Sequence, residues 1–262
     1  MSNRRNRLAA IVQILQVQNA ASLAELAAQL SVSEMTIRRD LNLLAQDKIV
    51  KVLHSGAVLN PGSVGSSRYS LTEAGAQQRE LKMAIGVMAA SLLEEGDIII
   101  IDGGSTTEYL AKSIPDTLQL TVLCWALNIL VEVHRRETCS LVFAGGSLHE
   151  NSLVFESPEG VELINRYRAN KAFLSASGVS EKLGVTCTNA YEVEMKKASI
   201  HSSLERILLV DSSKFGTIQP AYFADLTEIT TVVTDSGISA EYEEHIRSLG
   251  IALHIAPSSQ QP

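Results

Sequence analysis

The chain has 262 residues, of which 45% are hydrophobic and 19% charged, and its formal net charge at pH 7 is −7. This length and apolar content are enough for one large core or two smaller ones, which excludes a globally disordered protein. The sequence holds no apolar run of about 18 residues, so it predicts no membrane-spanning helix, and its amphipathic start is unlike a signal peptide.

Charge is unevenly distributed along the chain. Residues 1–59 carry seven Lys and Arg against four Asp and Glu, a net charge of +3, so the remaining residues carry −10. A basic amino-terminal segment on an acidic body suits a segment that approaches the phosphates of a nucleic acid.

The basic segment predicts three helices and a β-hairpin. Residues 4–17 repeat apolar side chains at helical spacing, and Ser22 begins a capping box for a second helix. Ser33 is expected to cap a third helix. Residues 49–53 and 57–59 then flank a short turn and predict a two-stranded hairpin.

Two helices joined by a short turn are typical of a helix-turn-helix, and a following hairpin is typical of a winged one. The residues of the third helix predicted to contact DNA are Ser33, Glu34, Thr36, Arg38, Arg39 and Asn42. The pattern leaves open which of the two arginines reads bases, and one of them could instead pair with Asp40 or Glu34. A three-helix protein-interaction module is the alternative, but the basic face and the hairpin together favour DNA.

A connector is predicted at residues 60–67, which are rich in Gly, Ser and Pro. We therefore divide the chain into a winged helix-turn-helix DNA-binding domain at residues 1–59, a linker at 60–76 and a carboxy-terminal domain at 77–262. The last of these is expected to bind an effector and to form the oligomer.

From residue 77 onward, short apolar runs alternate with helical stretches. This pattern predicts an α/β domain with a parallel sheet covered by helices on both faces. The predicted strands are residues 98–101, 120–123, 141–143, 172–175, 207–210, 231–233 and 252–255. The predicted helices are residues 77–93, 107–113, 128–136, 192–204 and 241–249. Sheets of this kind bind ligands at the carboxyl ends of their strands.

Five of the predicted strands end in polar or glycine-rich motifs. The first is followed by Asp102-Gly-Gly-Ser-Thr-Thr107 and then a helix, which favours a phosphate or another anion. Asn128, Gly145-Gly146 and Ser177-Gly178 follow the next three strands, and Lys214 after the fifth can supply positive charge. The spacing matches neither a Walker A loop nor a dinucleotide fingerprint, so no nucleotide and no cofactor are expected.

Several other side chains carry weaker signals. Trp125 is expected in the core, with stacking on a sugar ring as the alternative. His149 is expected to be either an ordinary loop residue or a contact to a sugar hydroxyl, because no second metal ligand lies at a suitable spacing. A solvated helix face is expected for Glu192, Glu194, Lys196 and Lys197, with a ligand contact by either glutamate as the alternative. Buried free thiols are expected for Cys124, Cys139 and Cys187, which form no CxxC pair.

Ser33-Glu-Met-Thr-Ile-Arg-Arg-Asp-Leu41 resembles the signature of the DeoR family of bacterial regulators, and the strand-end motifs resemble the sugar-phosphate sensor half of that family. One segment departs from the pattern. The hairpin reads Val52-Leu-His-Ser-Gly-Ala57 where many members have Arg-x-His-Gly-Gly-Ala, so the usual wing arginine is absent.

The resemblance implies a cytoplasmic bacterial repressor that binds double-stranded operator DNA as a homo-oligomer, a dimer or higher. It also implies a carboxy-terminal domain with a fold similar to that of ribose-5-phosphate isomerase. A phosphorylated sugar is the implied effector, with its phosphate held by residues 103–107 and Lys214. The full set of predicted effector-binding residues is Asp102, Gly103, Gly104, Ser105, Thr106, Thr107, Asn128, Gly145, Gly146, Ser177, Gly178 and Lys214.

The identity of the sugar is suggested by a finer likeness. Cys124-x-x-Leu-Asn128, Gly145-Gly-x-x-His149 and Thr186-Cys187 look most like the family members that control deoxyribonucleoside use, which implies deoxyribose 5-phosphate. Another sugar phosphate is one alternative. A sugar-phosphate isomerase with an accessory head is another, with Asp102 as the candidate base. The predicted DNA-binding helix favours the repressor, and no catalytic residue is predicted.

Overall fold

The computed structural model describes residues 7–8, 10–11, 14–15, 20–46, 50–53, 56–59 and 70–257. The chain divides into two compact units, residues 1–68 and 69–262, here named the head and the body. Most of the predicted linker, residues 60–69, lies outside the described residues, whereas residues 71–76 form a helix.

The head begins with helical residues at 7–8, 10–11 and 14–15, followed by β1 (Ala20–Ser22), α1 (Leu23–Leu30), α2 (Glu34–Gln46), β2 (Val50–Leu53) and β3 (Gly56–Leu59). Ser22 starts α1 through the predicted capping box, since its Oγ accepts the Glu25 N–H at 3.2 Å and Glu25 Oε2 accepts the Ser22 N–H at 2.8 Å. Ser31, at φ 53°, then turns the chain into α2. The predicted helix-turn-helix is confirmed.

The three strands of the head form an antiparallel sheet in the order β1-β3-β2. Strands β2 and β3 are the predicted hairpin, although its turn at residues 54–55 lies outside the described residues. Strand β1 has no counterpart in the prediction, because three residues that pair with a distant strand leave no local periodicity. A Cβ on Gly56 would come within 2.2 Å of the Ala21 carbonyl oxygen, so the pairing of β1 with β3 requires glycine there.

The core of the head draws on its first helical segment and on both later helices. The side chains with no exposed surface are Ile11, Leu15, Leu26, Ile37 and Leu41. Full burial of such a side chain stabilises a fold by roughly 1.5–3 kcal/mol. Because α2 turns its apolar stripe toward this core, its other face is left to solvent.

In chain order, the body contains α3 (Leu71–Ala76), α4 (Arg79–Ala90), β4 (Ile98–Ile101), α5 (Ser105–Ser113), β5 (Leu120–Cys124), α6 (Leu127–His134), β6 (Cys139–Phe143), β7 (Ser147–His149), β8 (Val154–Glu156), α7 (Pro158–Arg166), β9 (Ala169–Ser175), β10 (Gly178–Ser180), β11 (Gly184–Cys187), α8 (Val193–His201), β12 (Ser203–Leu209), β13 (Ala221–Ala224), β14 (Thr231–Asp235), α9 (Ala240–Ser248) and β15 (Ala252–Ala256). Short 3₁₀ turns at Ala190–Glu192, Ser212–Lys214 and Leu226–Glu228 complete it. None of the helices in the described ranges has the length and apolar character needed to cross a bilayer.

The central sheet has seven strands in the order β15-β14-β12-β9-β4-β5-β6, and every pair of neighbours is parallel. These are the seven predicted strands. Ile99, Ile100 and Ile101 are all fully buried, and since successive side chains of a strand point to opposite faces, both faces of the sheet are covered. The predicted α/β sheet is confirmed, and its parallel strands bring their carboxyl ends to one edge.

Two smaller antiparallel elements were not predicted. Strands β10, β11 and β13 form one sheet, and β7 with β8 forms a hairpin. The helix predicted at residues 192–204 is shorter than expected, because Ser203 and Leu204 belong to β12 and lie beside β9 in the central sheet. Long-range pairing with β9 therefore ends α8 before its local helical pattern ends.

Candidate functional site

Helix α2 presents the predicted DNA-contacting residues on the surface of the head. The exposed ones are Ser33, Glu34, Arg38, Arg39 and Asn42, with Thr36 half-buried. Ser33 Oγ accepts the Thr36 N–H at 3.3 Å and lies 2.9 Å from Thr36 Oγ1, so the predicted cap is formed at the first turn. Two guanidinium groups and several short polar side chains are thus free to face a major groove.

The Asp40 carboxylate is turned away from this polar face. It is 1% exposed, and its Oδ2 accepts the Arg7 Nε–H at 2.6 Å. This ion pair joins α2 to the first helical segment of the head. The basic character of the outer face therefore rests on Arg38 and Arg39.

At the carboxyl edge of the central sheet, the Asp102 carboxylate is an internal anchor. It is 1% exposed, and its Oδ2 accepts the Ser175 backbone N–H at 2.9 Å and the Ser175 hydroxyl at 3.1 Å. It also accepts a hydrogen bond from the Lys196 ammonium. With these donors in place, Asp102 holds the ends of β4 and β9 together.

The segment after Asp102 is tightly enclosed. A Cβ on Gly103 would come within 2.5 Å of Val154 Cγ1, and one on Gly104 within 2.8 Å of Ser175 Cβ. Gly104 is the N-cap of α5 and offers no side-chain cap. The next three residues, Ser105, Thr106 and Thr107, are 8%, 6% and 0% exposed. Three hydroxyl-bearing residues therefore lie at the amino terminus of α5, beside backbone N–H groups that no side chain caps.

Asn128, from the first turn of α6, reaches the same segment. Its Nδ2 donates to the Gly104 carbonyl oxygen at 3.2 Å and to Glu108 Oε2 at 3.0 Å. Its Oδ1 is buried and has no hydrogen-bond donor among the described residues. A buried amide oxygen without a donor is costly, and a ligand hydroxyl would satisfy it.

Gly145 and Gly146, predicted near the ligand, lie against the start of α7. Ser157 Oγ donates to the Gly145 carbonyl oxygen at 2.8 Å, and Gly146, at φ 146°, leaves no room for a Cβ beside the Glu156 carbonyl oxygen. An open cavity of about 300 Å³ adjoins them. The residues that line it are Ala144, Gly145, Gly146, Ser157, Glu159, Gly160 and Leu163.

Ser177 and Gly178 are joined to the segment that carries Lys214. Thr217 Oγ1 donates to the Lys214 carbonyl oxygen at 2.8 Å and lies 3.3 Å from the Ser177 carbonyl oxygen. The Lys214 ammonium lies 3.8 Å from Asp211 Oδ2, and its side chain is 28% exposed. The structure thus brings residues 102–104, 128 and 175 into direct contact, and residues 177–178 and 214–217 into a second group.

Models of two known protein domains match this chain. A model of the DeoR-like helix-turn-helix domain matches residues 7–62, and a model of the DeoR C-terminal sensor domain matches residues 77–236. The uncharacterized HTH-type transcriptional regulator YulB of Bacillus subtilis is 32% identical over 256 residues, which is 96% of either chain. The deoxyribose operon repressor of Escherichia coli K12 is 31% identical over 252 residues, 96% of this chain and 98% of that protein.

The chain belongs to the DeoR family. Family membership makes it a DNA-binding transcriptional repressor and not an enzyme, as predicted. Among solved structures, ribose 5-phosphate isomerase A of Methanocaldococcus jannaschii is similar, with a TM-score of 0.41 and 18% identity over 53% of this chain and 55% of that one.

The DeoR-family body contradicts one prediction at its carboxyl edge. Glu192 and Lys196, expected on a solvated helix face, are 7% and 0% exposed. The Lys196 ammonium lies 3.7 Å from Glu192 Oε2, contacts Asp102, and lies 5.1 Å from the centre of the Phe223 ring. The i, i+4 spacing of these two residues matched a surface ion pair, and only the packing of α8 on the sheet places that pair inside.

Burial and hydrogen bonding shift the ionisation of this DeoR-family cluster. Burial raises the pKa of Glu192 above 4.5, with the attraction of Lys196 opposing it. The Lys196 pKa is raised: burial disfavours its charge, but the Asp102 and Glu192 carboxylates together outweigh that effect. The ammonium of Lys196 therefore stays charged and serves as the cation that neutralises Asp102.

Lys82 is a further buried lysine, and its burial was not predicted from the sequence. It lies on α4, is 2% exposed, and donates to the Ala74 carbonyl oxygen of α3. Lys82, Ile85 and Ala89 occupy one stripe at helical spacing, and all three are buried. A lysine in register with an apolar stripe was the available signal.

The remaining weaker predictions have mixed outcomes. Trp125 is fully buried, as expected. The His149 ring stacks on Tyr191 with centroids 3.6 Å apart, and its Nε2 lies 2.8 Å from Glu156 Oε2. Cys124 and Cys187 are buried, which raises the pKa of each thiol to about 12, whereas Cys139 is half-buried.

Proposed function

We propose that this DeoR-family repressor of a sugar-related operon releases its operator when a phosphorylated sugar binds the body, and that the sugar is deoxyribose 5-phosphate. The observation that carries the proposal is the start of α5, where Ser105, Thr106 and Thr107 surround an uncapped helix amino terminus at the carboxyl edge of a parallel sheet. The deoxyribose operon repressor of Escherichia coli, similar over nearly the whole chain, supports this choice of sugar.

A helix amino terminus favours an anion for two reasons. Its first N–H groups lack intrahelical acceptors, and the helix dipole places partial positive charge there. In contrast to α5, helices α7 and α9 begin at Ser157 and Ser239, whose hydroxyls accept from the first turn. The phosphate is assigned to residues 103–107, with Lys214 as a further cation.

The sugar is assigned to the other side chains at the same edge. Asn128 Oδ1, which lacks a donor, would accept a hydroxyl, and Gly146 and Gly178 would line the ring. Asp102 acts in this proposal as a positioning residue, because its donors are already supplied by Ser175 and Lys196.

On the output side, α2 is proposed to enter the major groove. Thr36, Arg38 and Arg39 are assigned to base edges and phosphates, and Ser33, Glu34 and Asn42 to the flanks of that surface. One head reads few base pairs, so a dimer or a higher homo-oligomer is proposed for useful specificity. A coupling free energy of about 1–3 kcal/mol between the two sites would change operator affinity by roughly 5–150-fold.

The test uses the full chain and a duplex that it selects from a random library. Operator binding is measured by fluorescence anisotropy at one salt concentration, with deoxyribose 5-phosphate, ribose 5-phosphate or unphosphorylated deoxyribose added. We expect deoxyribose 5-phosphate to weaken binding within the range above and unphosphorylated deoxyribose to have no effect. Equal affinity with and without deoxyribose 5-phosphate would reject the proposed effector, and a response to ribose 5-phosphate alone would reassign it.

A further inference from the structure

Lys82 differs from the other buried lysines of the body. In the described residues three lysines of the body are buried, Lys82, Lys171 and Lys196. Lys171 pairs with Asp97 at 2.6 Å, and Lys196 pairs with Asp102. For Lys82, the described part of the chain supplies a carbonyl oxygen, that of Ala74, and no carboxylate within ion-pair distance. A buried ammonium without a counter-anion is costly.

Lys82 and the proposed phosphate loop both adjoin helix α3. Gly75, the residue after its acceptor Ala74, lies against Ser105, with 4.0 Å between an added Cβ and Ser105 Cβ. Lys82 and the first residue of α5 therefore contact adjacent residues of α3. Asp211 and Lys214, which lie 3.8 Å apart between Oδ2 and Nζ, are the charged residues that act on Lys82.

The pKa of Lys82 reports the burial and the charges that act on its ammonium. Burial lowers the pKa of Lys82, the Asp211 carboxylate partly offsets this, and the Lys214 ammonium adds to it. Asp211 Oδ1 accepts the Ser213 N–H at 3.1 Å, and its Oδ2 has no hydrogen-bond donor among the described residues. The Asp211 carboxylate already pairs with Lys214, whose Nζ lies 3.8 Å from Asp211 Oδ2, so an added phosphate would supply negative charge for Lys82.

Helix α3 is anchored by the buried side chain of Leu71 and by hydrogen bonds at Leu71 and Ala74. Its six residues begin with the Leu71 N–H donating to the Asn151 carbonyl oxygen at 3.0 Å, and its other end is held by Lys82. Helices this short are unstable in isolation, so they depend on such contacts. In chain order α3 is the first element of the body, and residues 60–69 connect it to the head.

We infer that Lys82 is an anion-binding residue of the effector site. A bound phosphate replaces the Ala74 carbonyl oxygen as the acceptor of the hydrogen bond from the Lys82 ammonium, and this exchange releases α3. This inference rests on the proposed function and adds to it the route by which the body alters the segment that carries the head. Without effector, Lys82 fastens α3 over Ser105. With effector, the charged phosphate outcompetes a neutral carbonyl oxygen for the same ammonium, because charge-assisted hydrogen bonds are the stronger.

The experiment compares the full-length wild type with Lys82→Met. Methionine keeps the length and apolar stem of the side chain and removes the charge, so the fold is expected to persist, which is checked by its thermal melt. Phosphate-ester binding is measured by calorimetry with deoxyribose 5-phosphate and with inorganic phosphate. Hydrogen exchange of residues 71–77 is followed in the same samples. Lys197→Met, which changes a half-buried lysine of α8 with a side chain that is 39% exposed, is the matched control.

We expect Lys82→Met to bind both probes at least tenfold more weakly, while Lys197→Met binds as the wild type does. In the wild type, bound probe should accelerate exchange at residues 71–77, and in Lys82→Met the acceleration should be lost. If the wild type releases operator with deoxyribose 5-phosphate and Lys82→Met binds and responds equally, this inference is overturned. The proposed function is left standing in that case. Lys82-dependent binding of inorganic phosphate without any response to deoxyribose 5-phosphate supports the inference and rejects the proposed sugar. If neither deoxyribose 5-phosphate nor inorganic phosphate binds the wild type, both this inference and the proposed function are overturned.

A second variant tests the release of α3 without touching the lysine. Gly75→Ala adds a methyl group in ordinary contact with Ser105 and favours the helical state of α3, because glycine is a poor helix former. If α3 must loosen, Gly75→Ala should lower the apparent affinity for deoxyribose 5-phosphate by about two- to fivefold. Unchanged affinity together with unchanged exchange in this variant would count against the release of α3.

Discussion

The Lys196 ammonium of α8 donates to the Asp102 carboxylate at the end of β4, and both side chains are 1% exposed. Asp102 in turn accepts the Ser175 backbone N–H, and the one hydroxyl hydrogen of Ser175 is shared between Asp102 Oδ2 at 3.1 Å and the Gly103 carbonyl oxygen at 2.7 Å. One buried ion pair thereby fixes the backbone from which the proposed phosphate loop begins. The loop is shaped from inside the body, by residues that need not contact the ligand.

Removing Lys196 should therefore be costly for stability. In Lys196→Met, Asp102 and Glu192 would remain buried without their cation, and loss of one partner of a buried pair costs about 3–5 kcal/mol. We expect a decrease of that size in the free energy of unfolding measured in urea. Lys197→Met, on the exposed side of the same helix, should change it by less than about 0.5 kcal/mol. Equal losses in the two variants would contradict a special role for the buried pair.

Glu192 should make stability depend on pH in a definite direction. Burial raises its pKa in the folded protein above the ordinary 4.5. Between 4.5 and the raised pKa the folded protein binds more protons than the unfolded chain, so stability falls as pH rises through this window. Glu192→Gln cannot ionise. The free energy of unfolding of the wild type minus that of the variant should therefore decrease as pH rises, and a difference that increases with pH would refute this.

The two helical glycines Gly86 and Gly75 should respond oppositely to alanine. A Cβ on Gly86 would lie 2.5 Å from the Tyr109 backbone carbon, so Gly86→Ala must push α4 away from α5, at a cost of about 1–3 kcal/mol. Within the described residues, a Cβ on Gly75 meets nothing closer than 4.0 Å, so Gly75→Ala should stabilise by about 0.5–1 kcal/mol. Thermal or urea unfolding of both variants checks the signs, and destabilisation of similar size in both would show that the close approach of α4 and α5 is irrelevant.

Arg38 and Arg39 can be assigned by salt dependence. Each alanine variant is expected to weaken operator binding by about 1–3 kcal/mol if the arginine reads a base. An arginine that neutralises a phosphate should instead reduce the slope of log affinity against log salt by about 0.9. Anisotropy titrations at several salt concentrations separate the two cases. Arg247→Ala, an exposed arginine of α9 in the body, is the control and should leave both quantities unchanged; wild-type binding by both head variants would reject α2 as the DNA-contacting surface.

Much of the fold was predictable because its signals are local. The capping box of α1 involves residues three apart, and the apolar runs of β4 and β14 lie within single strands buried on both faces. Strands β10, β11 and β13 escaped prediction because they are three or four residues long and depend on each other for pairing. The length of α8 was overestimated because β9 recruits Ser203 and Leu204 into the sheet.

The sequence by itself determined the helix-turn-helix, the seven strands of the parallel sheet and the polar motifs at their carboxyl ends, since each depends on residue type and on spacing within a few positions. Tertiary structure alone decided which charges are internal. Asp102 and Lys196 are 94 positions apart, and the buried pair of Asp97 and Lys171 joins residues 74 positions apart. Helical spacing cannot tell a solvated lysine from a buried one, because the difference lies in what covers that face.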